Sequence, residues 1–209
     1  MTTPNPAPKP TPPPKKPRHH GNLREALIDA GIDLLHQGGL PALTLRKCAA
    51  KAEVSHAAPA HHFGGLEGLI GAIATRGFLQ FSDYMMAHRA NAANSDTARL
   101  KAILDGYIEF TVDHPALFTL MFGSRVEIDP DQELSQAAGK AYQILAETCA
   151  PFSLDPHGNP RALEILVWSL CHGYASLQLV GQVTPNGPTN DVTFGDILRR
   201  LPDIAGLSE

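Results

Sequence analysis

The stretch from Thr44 to Phe63, TLRKCAAKAEVSHAAPAHHF, restricts the fold of this chain more than any other. Thr44 carries a hydroxyl that can accept a free backbone N–H at the start of a helix. Leu45, Cys48, Ala49 and Ala52 then recur at helical spacing on one apolar face. Glu53-Val54 breaks the pattern, and Ser55 is a second candidate cap for a helix running to Phe63. Two short helices joined by a turn of about three or four residues predict a helix-turn-helix, whose second helix can enter a DNA major groove.

A net charge of -4 looks wrong for a nucleic-acid binder, but the charge is unevenly spread. Up to Phe63, eight bases (Lys9, Lys15, Lys16, Arg18, Arg24, Arg46, Lys47, Lys51) face four acids, a net of +4. The remainder carries nine bases and seventeen acids, a net of -8. A basic N-terminal part can approach phosphates while the acidic part turns away. Residues 1–20 hold eight prolines and almost no large apolar side chains, so they are predicted to be a disordered tail with polyproline character. Lys15, Lys16, Arg18, His19 and His20 in it read equally as an arm along DNA or as a solvated leader.

Beyond the tail the apolar residues keep a helical period. Leu23, Ala26, Leu27, Ala30, Leu34 and Leu35 form a first amphipathic helix that Gly38-Gly39 ends. A long helix is predicted from Gly65 to Arg89, another from Leu100 to His114-Pro115, and a short apolar one over Ala116 to Phe122. Asp129-Pro130 starts a helix through Leu145, a loop covers 150–160, Arg161 to Val180 is a strong helix, and Phe194 to Leu201 is a last short one. No strand alternation or fixed repeat is present, so the fold class is all-α with about nine helices. The domains expected are the tail (1–20), a helix-turn-helix domain (21–65) and a C-terminal domain (66–209).

Several classes fall away. No run of about 18 uncharged apolar residues exists and the N-terminus lacks a secretory apolar region, so a cytoplasmic protein without membrane contact is expected. Cys48, Cys149 and Cys171 are far apart and set in apolar helical patterns, which predicts buried reduced thiols. There is no nucleophile elbow, glycine-rich phosphate loop or metal-ligand series. No enzyme activity, catalytic residue, cofactor or metal is expected; His56, His61 and His62 read as DNA contacts rather than a zinc cluster. Histidine gains charge near pH 6.5, so operator affinity should rise as pH falls.

The first helix, GGLPALTLRKCAAKAEVS and HAAPAHHFGGLEGL resemble, in order and spacing, the N-terminal domain of the TetR family of bacterial transcriptional regulators. HPALFTLMFGSR at 114–125 and VWSLCHGYASL at 167–177 resemble a subgroup with a Trp-His-Gly (WHG) pattern. The resemblance implies a homodimeric repressor on a palindromic DNA operator, released by a small-molecule effector held in the C-terminal domain. It also implies a dimer surface on the helices from Arg161 and Phe194, to which Gly173 and Ala175 would belong. Carried over, Thr44, Arg46 and Lys47 lie near the phosphate backbone, Ser55, His56, Ala57 and Pro59 at the front of the recognition helix, and His61 and His62 at its phosphate-facing end. Three positions depart from the family: Ala60 replaces an aromatic, Leu66 a lysine, and Glu53 the turn glycine. A degenerate member acting through protein or ligand binding without specific DNA is the alternative.

Phe81, Met85, Tyr107, Phe110, Phe118, Met121, Phe122 and Tyr142 supply aromatic and thioether surface that suits either a core or a pocket for an apolar or amphipathic effector. His114 is a candidate polar contact or a cap for the helix from Pro115. Trp168 and His172 share a helix face and read as effector contacts or as a buried indole and a hydrogen-bonded imidazole, with Gly173 letting helices meet.

Overall fold

A computed structural model describes residues 23–123, 132–152, 159, 161–183 and 192–200. Every regular element among these residues is helical. Helix α1 (Leu23–Ala42) loses helical geometry at Gly38 and at Gly39, whose φ of 64° is left-handed, so the amphipathic part ends where the glycine pair predicts. Helix α2 (Leu45–Lys51) starts on Thr44, whose Oγ1 accepts the Lys47 N–H at 3.2 Å. The turn passes through Glu53 at φ 55°, a conformation that costs a non-glycine residue about 1–2 kcal/mol.

Helix α3 (Ala58–Phe63) corrects the sequence reading. Ser55 does not cap it: Ala57 holds the N-cap position with no side-chain bond, and Ser55 instead accepts the Ala58 N–H through its backbone carbonyl at 3.0 Å. Pro59 lies in the first turn, where its missing N–H has no helical partner to lose. The helix is therefore only six residues long.

Helix α4 (Leu66–Ala90) joins two cores. Its Leu69, Ile70 and Ile73 are buried with Leu27, Leu35, Leu43 and Cys48 of the N-terminal unit. Further along, Phe78, Phe81 and Met85 belong to a second layer built with α5 (Asp96–Asp113), α6 (Pro115–Met121) and α7 (Gln132–Cys149). At about 1.5 Å per residue the 25 residues of α4 span both. Its crossing with α5 is close because Gly106 has no side chain: a Cβ there would lie 2.7 Å from the Tyr84 carbonyl oxygen. Helix α6 bridges α1 and α4, while α8 (Arg161–Leu179) packs on α5 and α7 and α9 (Phe194–Leu198) on α5. A 3-10 turn, Ala150–Phe152, follows α7. The predicted tail 1–20, the helix start at Asp129-Pro130 and most of the 150–160 loop lie outside the described residues, and the last helix, expected to reach Leu201, ends at Leu198 with Arg199 as its C-cap.

Burial is by chemistry of type: thirty-odd apolar side chains form one connected cluster through both layers, including all three cysteines. Burial raises the Cys48 thiol, pushes Cys149 up to about 12 and raises Cys171 further, so all three stay protonated. No helix among the described residues is long and apolar enough to cross a membrane.

Candidate DNA-binding face and ligand cavity

The α2–α3 unit exposes most of its polar side chains. Arg46 and Lys47 are exposed in the first turn of α2 and make no ion pair among the described residues, whereas Lys51 is held by Asp33 at 3.1 Å. Arg24 is also engaged, with Glu133 at 3.1 Å and with the Phe63 ring 5.6 Å below its guanidinium. The free cations of this face are thus those expected near phosphates. Thr44 is half-buried, and since its oxygen accepts from Lys47, its hydroxyl proton is left to donate outward.

Ser55, His56, Ala57, His61 and His62 are exposed, with the His61 and His62 rings 5.6 Å apart. Pro59 is buried, which removes it from direct contact with bases. It turns inward because α3 begins after Ala57, so the positions nearest Ser55 form the turn and not the helix front. Ala60 is exposed and offers only a methyl group. The end of α3 is set by Gly64, left-handed at φ 70°, and by Gly68 on α4, whose Cβ would meet the Phe63 carbonyl oxygen at 1.9 Å. Only glycine lets α3 and α4 meet at that angle.

The second site is internal: a cavity of about 150 Å³ between α4, α5, α7 and α8. Of the predicted pocket residues, Phe81, Met85, Tyr107, Phe122, Tyr142 and Trp168 line it. Phe110, His114, Phe118, Met121 and His172 do not. Phe110 is fully buried behind the wall, its ring 5.2 Å from Phe81. Met121 fills the α4–α6 contact over Gly77, and Phe118 stacks between Phe122 and His172 at 4.9 and 5.3 Å. His114 holds the N-cap position of α6 without a side-chain cap bond. Its ring sits at the junction with α1, Nε2 3.2 Å from the Tyr84 hydroxyl and ring centroid 5.9 Å from His36. Burial and His36 both push its pKa down.

Sequence periodicity missed Phe78, Ile103, Leu104, Ala138, Ala141, Leu145 and Cys171, which also line the cavity. The alanines are the informative omission. Ala138 and Ala141 on α7 open the space that larger residues would close, a signal readable only once α7 is known to face α4 and α8.

The polar atoms of the wall are few and committed. Tyr107 is 5% exposed and its hydroxyl lies 3.0 Å from His172 Nδ1. Burial holds this phenol protonated and lowers the His172 pKa, so the pair is neutral. Tyr142 donates to Glu164 across the rim between α7 and α8, and its ring is 6.1 Å from Trp168. Gly173 faces open space on α8, so it does not serve a helix contact within the chain. Ala175 is fully buried, so it is part of the core and not of an outer face.

Residues 27–73 match the family model described as bacterial regulatory proteins, tetR family, and residues 100–201 match the tetracyclin repressor-like, C-terminal domain. The HTH-type transcriptional regulator BetI of Burkholderia lata is 36% identical over 133 residues, covering 62% of this chain and 68% of that protein. A solved structure of a protein with unknown function from Rhodococcus sp. RHA1 superposes with a TM-score of 0.76 at 25% identity, over 91% of this chain and 97% of that one. AibR, solved in complex with isovaleryl coenzyme A and operator DNA, superposes with a TM-score of 0.60 at 16% identity, over 89% and 97% of the two chains, a likeness of fold.

Proposed function

The chain belongs to the TetR family of bacterial transcriptional regulators, and from that premise we propose a homodimeric repressor that leaves a palindromic operator when a small molecule fills the cavity. The observation that carries the reading is the α2–α3 face, where Thr44, Arg46 and Lys47 stand beside the exposed His56, His61 and His62. Cations and a hydroxyl suit phosphates, and the exposed front of the unit suits base edges. Two such faces must sit roughly 34 Å apart to read one groove twice. The domains are taken as 21–65 for DNA and 66–209 for effector and dimer, with α4 shared, acting on DNA in the cytoplasm and without catalysis. Membership of the WHG subgroup is part of the proposal, supported by Trp168 at the cavity and His172 behind it.

Coupling runs through α4. Phe78 and Phe81 line the cavity, while Leu69, Ile70 and Ile73 on the same helix are packed into the DNA-binding unit. A ligand that binds better to the form with displaced α4 shifts the two faces out of register.

The dimer surface is assigned to α8, whose outer side exposes Ile165, Leu166 and Leu177 around Gly173, with the exposed Val180 just past its end. A monomer rarely leaves such a stripe uncovered. Because Gly173 faces open space, a bulky residue there should leave the protomer folded and obstruct only a partner. Gly173→Trp is expected to sediment as a monomer and lose operator binding; a monomer that binds normally would contradict the dimer.

The alternative of a degenerate member has its own support: a six-residue α3, a buried Pro59, Ala60 without a phosphate-holding group and strain at Glu53. Selection from random DNA at two salt concentrations separates the readings. Recovery of a palindrome with a steep salt dependence supports the repressor; no enrichment supports the alternative.

A further inference from the structure

The cavity wall has no charged side chain, and its polar groups are oriented rather than free. Tyr107 has one proton to give. That proton goes to His172 Nδ1 at 3.0 Å, the acceptor within reach, since a buried hydroxyl proton without a partner would be costly. The Tyr107 oxygen then keeps its acceptor capacity, and Tyr107 is part of the wall. The other wall hydroxyl, on Tyr142, is drawn across the rim to Glu164.

We propose that the cavity takes a small neutral ring compound bearing one hydrogen-bond donor, a phenol or cyclic alcohol, and that Tyr107 accepts that donor. The inference rests on reading the cavity as the effector site and adds the class of compound. About 150 Å³ is the size of a void that holds a benzene ring. Aromatic edges from Phe81, Phe122 and Trp168 suit a flat ring, and a bare apolar wall excludes a carboxylate, which would lose its hydration with no cation in return. A ketone or aldehyde of the same size would set its oxygen against the Tyr107 oxygen, whose proton is committed to His172. The polarity of the relay through His172 therefore decides the ligand, although His172 itself lies outside the wall.

The test is calorimetric titration of the full chain, without DNA, using phenol, toluene, benzaldehyde and benzoate. Phenol is expected to bind tighter than toluene, which is the more hydrophobic, and at least about tenfold tighter than benzaldehyde or benzoate, the worth of one well-made hydrogen bond. In Tyr107→Phe the ratio of phenol to toluene affinity should fall at least about tenfold with toluene binding retained, and in Tyr142→Phe it should stay as in the parent chain. If Tyr107→Phe does not fold, the phenol against benzaldehyde comparison on the parent chain still decides the polarity. No binding by any ring compound, equal binding of phenol and benzaldehyde, or an unchanged ratio in Tyr107→Phe would overturn the inference. Operator release is read separately: phenol binding without release counts against the regulatory role and leaves the ligand class standing.

Discussion

On the α2–α3 face each candidate contact side chain is presented to solvent by its own place on a short helix or turn: Arg46, Lys47, His56, His61 and His62 are all exposed. Around the cavity no residue makes the site alone. Four helices leave a gap because Ala138 and Ala141 face Phe81, Tyr107 and Trp168, and the gap belongs to the set. The outer face is a sum of individual groups, so losses there should be graded. The cavity is a shared volume, so one methylene in the wrong place should close it.

The sharpest way to break that contrast is to fill the void. Ala141→Leu should weaken phenol binding by at least about 100-fold without lowering the denaturation midpoint, because the added carbon occupies empty space. Titration calorimetry and urea unfolding check both halves; retained binding would mean that the site lies elsewhere. Next in size is the double change Arg46→Ala, Lys47→Ala. It should cost about tenfold or more in operator affinity and lower the slope of log affinity against log salt by about 2, alike for specific and random DNA. An unchanged slope would remove both residues from the phosphate contacts.

Two changes of about 1 kcal/mol probe how the face is held. Thr44→Ala removes the cap of α2 and should destabilise by about 1 kcal/mol. Glu53→Gly relieves the left-handed turn and should stabilise by about 1 kcal/mol, less the extra entropy of glycine in the unfolded chain. Neither should alter ligand binding, and a change in it would show that the two regions are not separable.

Acid should have the smallest effect, and it acts on stability through His114 and His172. His114 and His172 have pKa values depressed by burial, so the unfolded chain takes up protons near pH 6.5 before the folded one does. Stability is then full above about pH 6.5 and declines as pH drops below it. Urea midpoints at about pH 7.5 and pH 5.5 should differ in that sense, and His114→Gln together with His172→Gln should flatten the difference.

The helix order, the break at Gly38-Gly39 and the Thr44 cap were legible in the residues, because each depends on neighbours within about one helical turn, whereas Glu53 stood out only against the family's turn glycine. The exposure of Arg46, Lys47, His56, His61 and His62 follows from the same local pattern, but Ser55 and Pro59 do not stand where that pattern puts them. There the chain spends two more residues in the turn, Ala57 takes the cap position, and Pro59 rotates into the core. Six of the eleven predicted pocket residues line the cavity, yet nothing in their spacing separates Phe81, in the wall, from Phe110, directly behind it.

Taken alone, then, the sequence determined an all-helical chain with a basic N-terminal helix-turn-helix and an aromatic-rich C-terminal layer, since period and capping are local. Tertiary structure decided where the layer is hollow and that the Tyr107 hydroxyl meets His172. It also decided that Gly173 faces outward while Ala175 is buried. Those are properties of facing helices, and residues far apart in the chain acquire them only when Gly106 lets α5 close on α4 and α8 completes the wall.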